Sequence, residues 1–327
     1  MTMKSTSYTG LRGAIIENAP IGAQSWFRCG GNADLLFKPN DPADLAVFLR
    51  QHPASQPLTI IGGLANTIVR DGGIRGATIQ LGKEFSDIEI IGRDKIRASC
   101  GALNGSLAAA AVKAEIGGFE CLSGIPGSLG GALRMNAGAY GADISDILVA
   151  ITAVDYAGNE YCLIPRGQPH GAVALSPAAE TMEINLSYRN NDAPHYLIFT
   201  SAILKGKAED YDTVKSRITD IKAKRNETQP IKEQTGGSTF ANPNPSLLQL
   251  AGLPEDTRAW QIVEKVGGRG LMIGGAKMSE KHCNFMINTG NATANDLEML
   301  GEEIRTRAYN DLNIDLHWEI KRIGERI

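Results

Sequence analysis

At 327 residues, 43% of them hydrophobic and 21% charged, the chain exceeds a typical single core of about 100 to 200 residues and is too apolar to be disordered over most of its length. Its net charge of −3 lacks the basic footprint of a nucleic-acid or anionic-membrane partner, and with no sustained apolar stretch in MTMKSTSYTGLRGAII and no run of about 18 apolar residues, neither export nor membrane insertion is expected. Cys29, Cys100, Cys121, Cys162 and Cys283 are odd in number and show no CxxC spacing, which argues against a disulfide framework or zinc site and for a reducing cytoplasm.

Residues 1–20 are polar and aperiodic and read as a loosely held arm, with ordered chain beginning near Ser25. DPADLAVFLRQH predicts a helix with Asp41 as N-cap, Pro42 at the first position, Asp44 in the first turn, and Leu45, Phe48 and Leu49 facing a core. PLTIIGG and ATIQL read as strands, DIEIIGRDKIRASCG as a hairpin turning at Gly92–Asp94, and SLAAAAVKAEI as a helix. ILVAITAVDYAGNEYCLI reads as a hairpin closed at Gly158 and Asn159, PRGQPHGAVALSPAAE (165–180) as a surface loop, and HYLIFTSAILKG as a strand. TVKSRITDIKAKRNE is an amphipathic helix with Val214, Ile218 and Ile221 on one face, expected to open a C-terminal lobe. In ATANDLEMLGEEIRTRAYNDL, Thr293 and Asp296 form a capping-box pattern, and Leu297, Leu300, Ile304 and Ala308 share a helical face.

Glycine is concentrated in FRCGGNAD (27–34), IIGGLANTIVRDGG (60–73) and GIPGSLGGALRMNAGAYG (124–141). Each cluster alone fits a tight turn; together they suit a nest of main-chain N–H groups around a pyrophosphate. None spells GxGxxG or GxxxxGK[ST], so a dinucleotide here is not held by a Rossmann or Walker loop.

SWFRCGGNAD, IIGGLANTIVRDGG, GGFECLSGIPGSLGGALRMNAGAYG, LSYRNN, TGGSTFANP, GLMIGGAKMSEKHCNFMINTGNATA and DLHWEIKRIG, in that order, resemble the UDP-N-acetylenolpyruvoylglucosamine reductase family. The short path from LSYRNN to TGGSTF is similar to the subtype that lacks an extra substrate-closing loop. The resemblance implies an α+β fold, with an FAD-binding region of the vanillyl-alcohol oxidase and p-cresol methylhydroxylase type, made of two subdomains, and a C-terminal α/β substrate domain. After the arm, the expected divisions are 21–85 and 86–207 for the FAD-binding subdomains and 208–327 for the substrate domain. It also implies a monomer with FAD as cofactor, NADPH as reductant and UDP-N-acetylglucosamine enolpyruvate as substrate, reduced to UDP-N-acetylmuramate for peptidoglycan. Nucleic acid and membrane insertion are not expected.

By the same resemblance, Arg28, Gly30, Gly31, Gly62, Gly63, Leu64, Ala65, Asn66, Gly124, Pro126, Gly127, Ser128, Gly130, Gly131, Asn136 and Gly138 are expected at the cofactor. Arg134 and Tyr140 are placed near the flavin and its substrate. Leu64 and Ala65 stand where the family usually has glycine and serine; one lost hydroxyl contact costs roughly 1 kcal/mol, which FAD binding survives. Related oxidases often link flavin through a histidine after the RxGG turn. Asn32 stands here instead, so the FAD is expected to be non-covalent, and yellow colour in an acid precipitate would contradict that.

Adding hydride to the vinyl carbon builds charge on the carbon α to a carboxylate, which calls for a fixed cation, hydrogen-bond donors and a proton donor. The resemblance assigns these tasks to Arg189, Ser238 and Glu319. An isolated strand-end arginine, a serine in a glycine-rich turn or a strand glutamate, with Glu319 opposite Trp318 and Ile320, would ordinarily be solvated or structural. Tyr140, Tyr188, Asn242 and Lys277 are expected at the substrate, with Ser279, Lys281 and His282 as weaker candidates for its uridine diphosphate end. His282 also fits a structural histidine, since the chemistry leaves it no task. The competing readings are a flavin oxidase on the same fold and a non-catalytic nucleotide-sugar binding protein.

Overall fold

The computed structural model describes residues 8–168 and 179–327. Residues 169–178, most of the expected 165–180 loop, lie outside the described residues. The chain divides into two compact units, the first formed by 1–17, 35–63 and 76–223, the second by 18–34, 64–75 and 224–327. Each unit thus combines early and later stretches of chain, whereas the expected domains 21–85, 86–207 and 208–327 are contiguous. Short early stretches are recruited by the C-terminal part because Thr67–Val69 pairs in parallel with Lys321–Ile323, and the Asp71 carboxylate accepts the main-chain N–H groups of Ala294 and Asn295 at 3.0 and 2.9 Å.

In the first unit, a six-stranded sheet runs in the order Glu180–Ile184, Glu160–Pro165, Leu148–Val154, Ile198–Lys205, Lys95–Ser99, Ile88–Ile91. All its pairs are antiparallel except the first. The turns fall as expected, with Gly92 and Gly158 in the left-handed region at φ +66° and +86°. A four-stranded sheet has the order Ala14–Ala19, Ala33–Lys38, Ile74–Gln80, Leu58–Ile61. The helix Pro42–Gln51 starts at the predicted cap, where Asp41 accepts the Asp44 N–H, and it buries Leu45, Phe48 and Leu49. The helix Asn104–Lys113 inserts Leu107, Ala108 and Ala111 into the same core.

Two expectations fail here for physical reasons. The N-terminal stretch is not a loose arm from Tyr8 onward. Tyr8 stacks on Phe48 with ring centroids 4.4 Å apart, and Arg12 and Gly13 donate their main-chain N–H to the Asp44 carboxylate at 2.9 and 2.8 Å. Burial of Asp44 was hidden because a charged residue in a first helical turn ordinarily faces water. The helix Tyr211–Thr228 does not open the C-terminal lobe either. Its buried Val214 and Ile218 join the core of the first unit, and only residues from Lys224 onward belong to the second.

The second unit centres on a four-stranded antiparallel sheet in the order Gln234–Thr235, Met286–Asn288, Ala276–Met278, Met272–Ile273. Its long helix Ala294–Leu312 has the predicted Thr293/Asp296 capping box and buries Leu297, Leu300, Ile304 and Ala308 against Phe240, Ile262, Val263 and Met286. Among the described residues no helix is long and apolar enough to cross a membrane.

Candidate functional site

In the first unit, the bare backbone of Gly62 and Gly63 meets that of Gly127 and Ser128. A Cβ on Gly62 would lie 2.8 Å from Ser128 Oγ, and one on Gly63 would lie 3.4 Å from Gly127 Cα. The second strand of this meeting is held from behind: Asn104 N–H donates to Gly127 O at 3.1 Å and Leu129 N–H to Ala102 O at 2.9 Å. Two cavities, of about 450 and 390 Å³, share Gly62, Leu81 and Ser128 in their linings. Gly130 and Gly131 line the larger one, and an added Cβ on Gly131 would meet nothing within 4 Å. Glycine-rich loops opening on such cavities leave room for an elongated diphosphate-bearing group to approach the main chain.

Arg134 lines the larger cavity, with its guanidinium donating to Ala193 O at 3.0 Å and Leu197 O at 2.6 Å and lying 4.0 Å from the Phe199 ring centroid. Burial pulls this group down from its ordinary value. Tyr156, His195 and Phe199, which complete the wall, were not singled out from the sequence. They stand far from every glycine cluster, and only the strand pairing brings them to it.

A second constellation in this unit joins Asn136, Gly138, Tyr188 and Arg189. Tyr188 and Arg189 form the turn between Leu186–Ser187 and Asn190–Asn191, where the Arg189 guanidinium donates to Gly138 O at 2.9 Å and lies over the Tyr188 ring. Asn136 clamps the same hairpin by donating to Ser187 O at 3.1 Å. Gly124 makes room for Tyr140, since a Cβ there would lie 2.4 Å from the tyrosine ring.

The second unit holds Ser238 and Glu319. Glu319 N–H donates to Thr239 O at 2.8 Å, and Ala241 N–H to His317 O at 2.9 Å, so the two segments run side by side. The Asn66 side chain spans them, accepting Gly237 N–H at 3.1 Å and donating to Glu319 O at 3.2 Å. The strand expected to carry Glu319 begins only at Lys321, so its placement by alternation is corrected. Trp318 instead makes an isolated bridge to Phe240, and these cross-segment bonds, not a strand pleat, position Glu319. Asn242 Oδ1 accepts Ala259 N–H at 3.1 Å, at the start of the helix Ala259–Lys265.

Arg28, Gly30, Gly31, Leu64 and Ala65 also lie in the second unit. Gly31 N–H donates to Arg70 O at 3.0 Å, and a Cβ on Gly30 would lie 1.8 Å from Val69 O, so close packing of backbones alone accounts for these two glycines. Arg28 and Leu64 have φ of +56° and +50°. With Asn136, Tyr140 and Arg189 they are five of the eight non-glycine residues with positive φ among the described residues, so strained backbone concentrates at the candidate positions.

A cavity of about 690 Å³ in this unit is lined by Asn226, Gln229, Lys277, Ser279, Lys281 and Thr289 among others. His282 stands outside that lining and packs edge-on against Phe285, its centroid 4.8 Å away; burial lowers its pKa and favours neutral imidazole. All five cysteines are free, and burial pushes Cys29 up to about 12, with Asp71 and Asp296 adding to it, so no thiolate nucleophile is available there.

Residues 33–163 match the profile of an FAD binding domain, and the fold is that of an FAD-binding protein with the α+β architecture expected. Residues 229–323 match the C-terminal domain of UDP-N-acetylenolpyruvoylglucosamine reductase. The chain is 44% identical to the reductase of that name from Maricaulis maris over 96% of its own length and 93% of the other. It is 46% identical to the one from Rickettsia canadensis over 93% of both. The crystal structure of the Thermus caldophilus reductase superposes with a TM-score of 0.75 at 24% identity, covering 96% of this chain and all of that one, which supports the fold. The chain belongs to the UDP-N-acetylenolpyruvoylglucosamine reductase family.

Proposed function

We propose that the protein reduces the enolpyruvyl ether of UDP-N-acetylglucosamine to UDP-N-acetylmuramate, a step of peptidoglycan precursor synthesis in the cytoplasm, with NADPH as the reductant. Similarity to reductases of this name over nearly the whole chain supports the reaction, and the observation that carries the site is the main-chain bond from Glu319 to Thr239, the residue after Ser238. FAD, when bound, supplies the hydride-carrying chemistry. Gly62, Gly63, Gly127, Ser128 and Gly131 would hold it through close approach to the main chain, with Gly130, whose N–H already donates to Cys100 O at 2.8 Å, leaving room in the cavity wall.

Arg189 grips the substrate carboxylate with its planar fork. Glu319 helps to polarise the substrate carboxylate, which favours a protonated or tightly hydrogen-bonded state. Ser238 gives its hydroxyl proton to the carbon α to the carboxylate. Lys277, Ser279 and Lys281, which share one cavity, offer ammonium and hydroxyl donors to the diphosphate end.

Ser238→Ala tests this. Reduction of the enzyme by NADPH stays at the wild-type rate in stopped flow, while reoxidation by substrate slows at least roughly a hundredfold, the scale of a lost general acid. Equal reoxidation rates refute the role of Ser238. Fast reoxidation by oxygen together with none by substrate would make the protein an oxidase.

A further inference from the structure

We infer that Asn66 is a positioning residue for the reaction, fixing the Ser238 hydroxyl and Glu319 relative to each other; this rests on the roles proposed above for those two residues. The bonds close a ring through three distant stretches of chain. Asn66 Oδ1 takes Gly237 N–H at 3.1 Å, Ser238 follows, Thr239 O takes Glu319 N–H at 2.8 Å, and Glu319 O returns to Asn66 Nδ2 at 3.2 Å. Ser238 thus sits between two residues that are each tied into the ring, one to Asn66 and the other to Glu319.

The chemistry of the amide is specific to this task. It must accept at one atom and donate from another, which a carboxylate or an alkyl group cannot do and a hydroxyl can do only from a single atom. Its own backbone is fixed from both sides. Asn66 O accepts Lys321 N–H at 3.0 Å, and the next residue, Thr67, enters the parallel pair with Lys321. A Cβ on Gly237 would lie 2.9 Å from Asn66 Oδ1, so only glycine lets the amide come this close. The side chain of the last residue in the LAN triplet is therefore turned toward the two reacting residues.

The test is a double-mutant cycle on the FAD-loaded protein, using Asn66→Ala, Ser238→Ala and the pair, read as single-turnover reoxidation by substrate and as FAD affinity. Asn66→Ala is expected to slow reoxidation by about 30- to 100-fold, the scale of a displaced reacting group, with the measured FAD affinity used to compare every variant at FAD saturation. The pair should be no more than about threefold slower than Ser238→Ala alone, because one defect acts through the other. Asn66→Asp keeps the acceptor for Gly237 but not the donor to Glu319 and should fall between; it carries the same cycle if the alanine variant does not fold. Multiplication of the two single effects, or a wild-type rate in Asn66→Ala, overturns the inference. A wild-type rate in Ser238→Ala overturns the reading of Ser238 and takes the inference with it.

Discussion

The Trp318 indole N–H donates to Glu302 Oε1 across 2.8 Å, and Trp318 is the chain neighbour of Glu319. Arg322 and Arg305 complete the arrangement, the first 2.9 Å from the same oxygen and the second 2.7 Å from Oε2. Arg322 also lies over the Trp318 ring, 4.4 Å from guanidinium carbon to centroid. A charge network reaching the long helix therefore anchors Trp318, next to Glu319, in addition to the cross-segment bonds of Glu319 itself.

Burial would raise the Glu302 carboxyl, but the Trp318 indole and the two guanidiniums outweigh it and hold it below the usual carboxylate range. A lowered folded value stabilises the protein above the unfolded pKa of about 4.3, and that contribution disappears as pH falls through the lower folded value. Thermal melts between pH 7 and pH 3 should show Glu302→Gln losing less stability on acidification than the parent. At pH 7 it should be less stable by about 1 kcal/mol, a small figure because solvent screens the pair. Parallel melting curves for the two proteins across that range would refute the assignment.

Asp44 is 1% exposed and accepts main-chain N–H groups from Arg12, Gly13 and Asn40. Removing the carboxylate leaves three donors without an acceptor, so Asp44→Ala should cost about 3 kcal/mol or more in urea unfolding, and Asp44→Asn roughly half of that. Limited proteolysis should then cut near residues 8–17. A protease pattern identical to the parent's would show that the N-terminal stretch is held by other contacts.

The glycines should separate cleanly by substitution. Gly30→Ala places a Cβ against Val69 O at a φ of +107° and should abolish folded expression. Gly131→Ala opens onto space and should keep or slightly raise the melting temperature, since alanine favours helix by about 1 kcal/mol. Gly131→Leu should fold yet bind FAD at least about tenfold more weakly, a change read by flavin fluorescence during titration of the apoprotein. Unchanged FAD affinity in Gly131→Leu would remove this glycine from the cofactor cavity.

Local structure was largely legible. Asp41 and the Thr293/Asp296 box start helices where their side chains reach orphan N–H groups, and Gly92 and Gly158 turn hairpins where positive φ is needed. The glycine loops pointed to a diphosphate-bearing guest, and motif order pointed to the family. What stayed hidden was long-range. Nothing local distinguishes Gly30, packed on Val69, from Gly131, facing a cavity. Buried Asp44 looks like any first-turn acid, and Glu319 lies in a run whose alternation mimics a strand. The Asn66 ring joins stretches about 170 and 253 residues apart, a distance no periodicity reports.

The parallel pairing of Thr67–Val69 with Lys321–Ile323 has a consequence for synthesis. When residues 64–75 leave the ribosome, the strand they pair with and the helix that Asp71 caps are still unmade, and chain emerges at only about 5–20 residues per second. For tens of seconds the Thr67–Val69 edge has no partner, an exposure that invites pairing with another nascent chain. Assembly of the second unit is thus a late event closing a very long loop, so the arrival of Lys321–Ile323 decides when Thr67–Val69 is safe from aggregation.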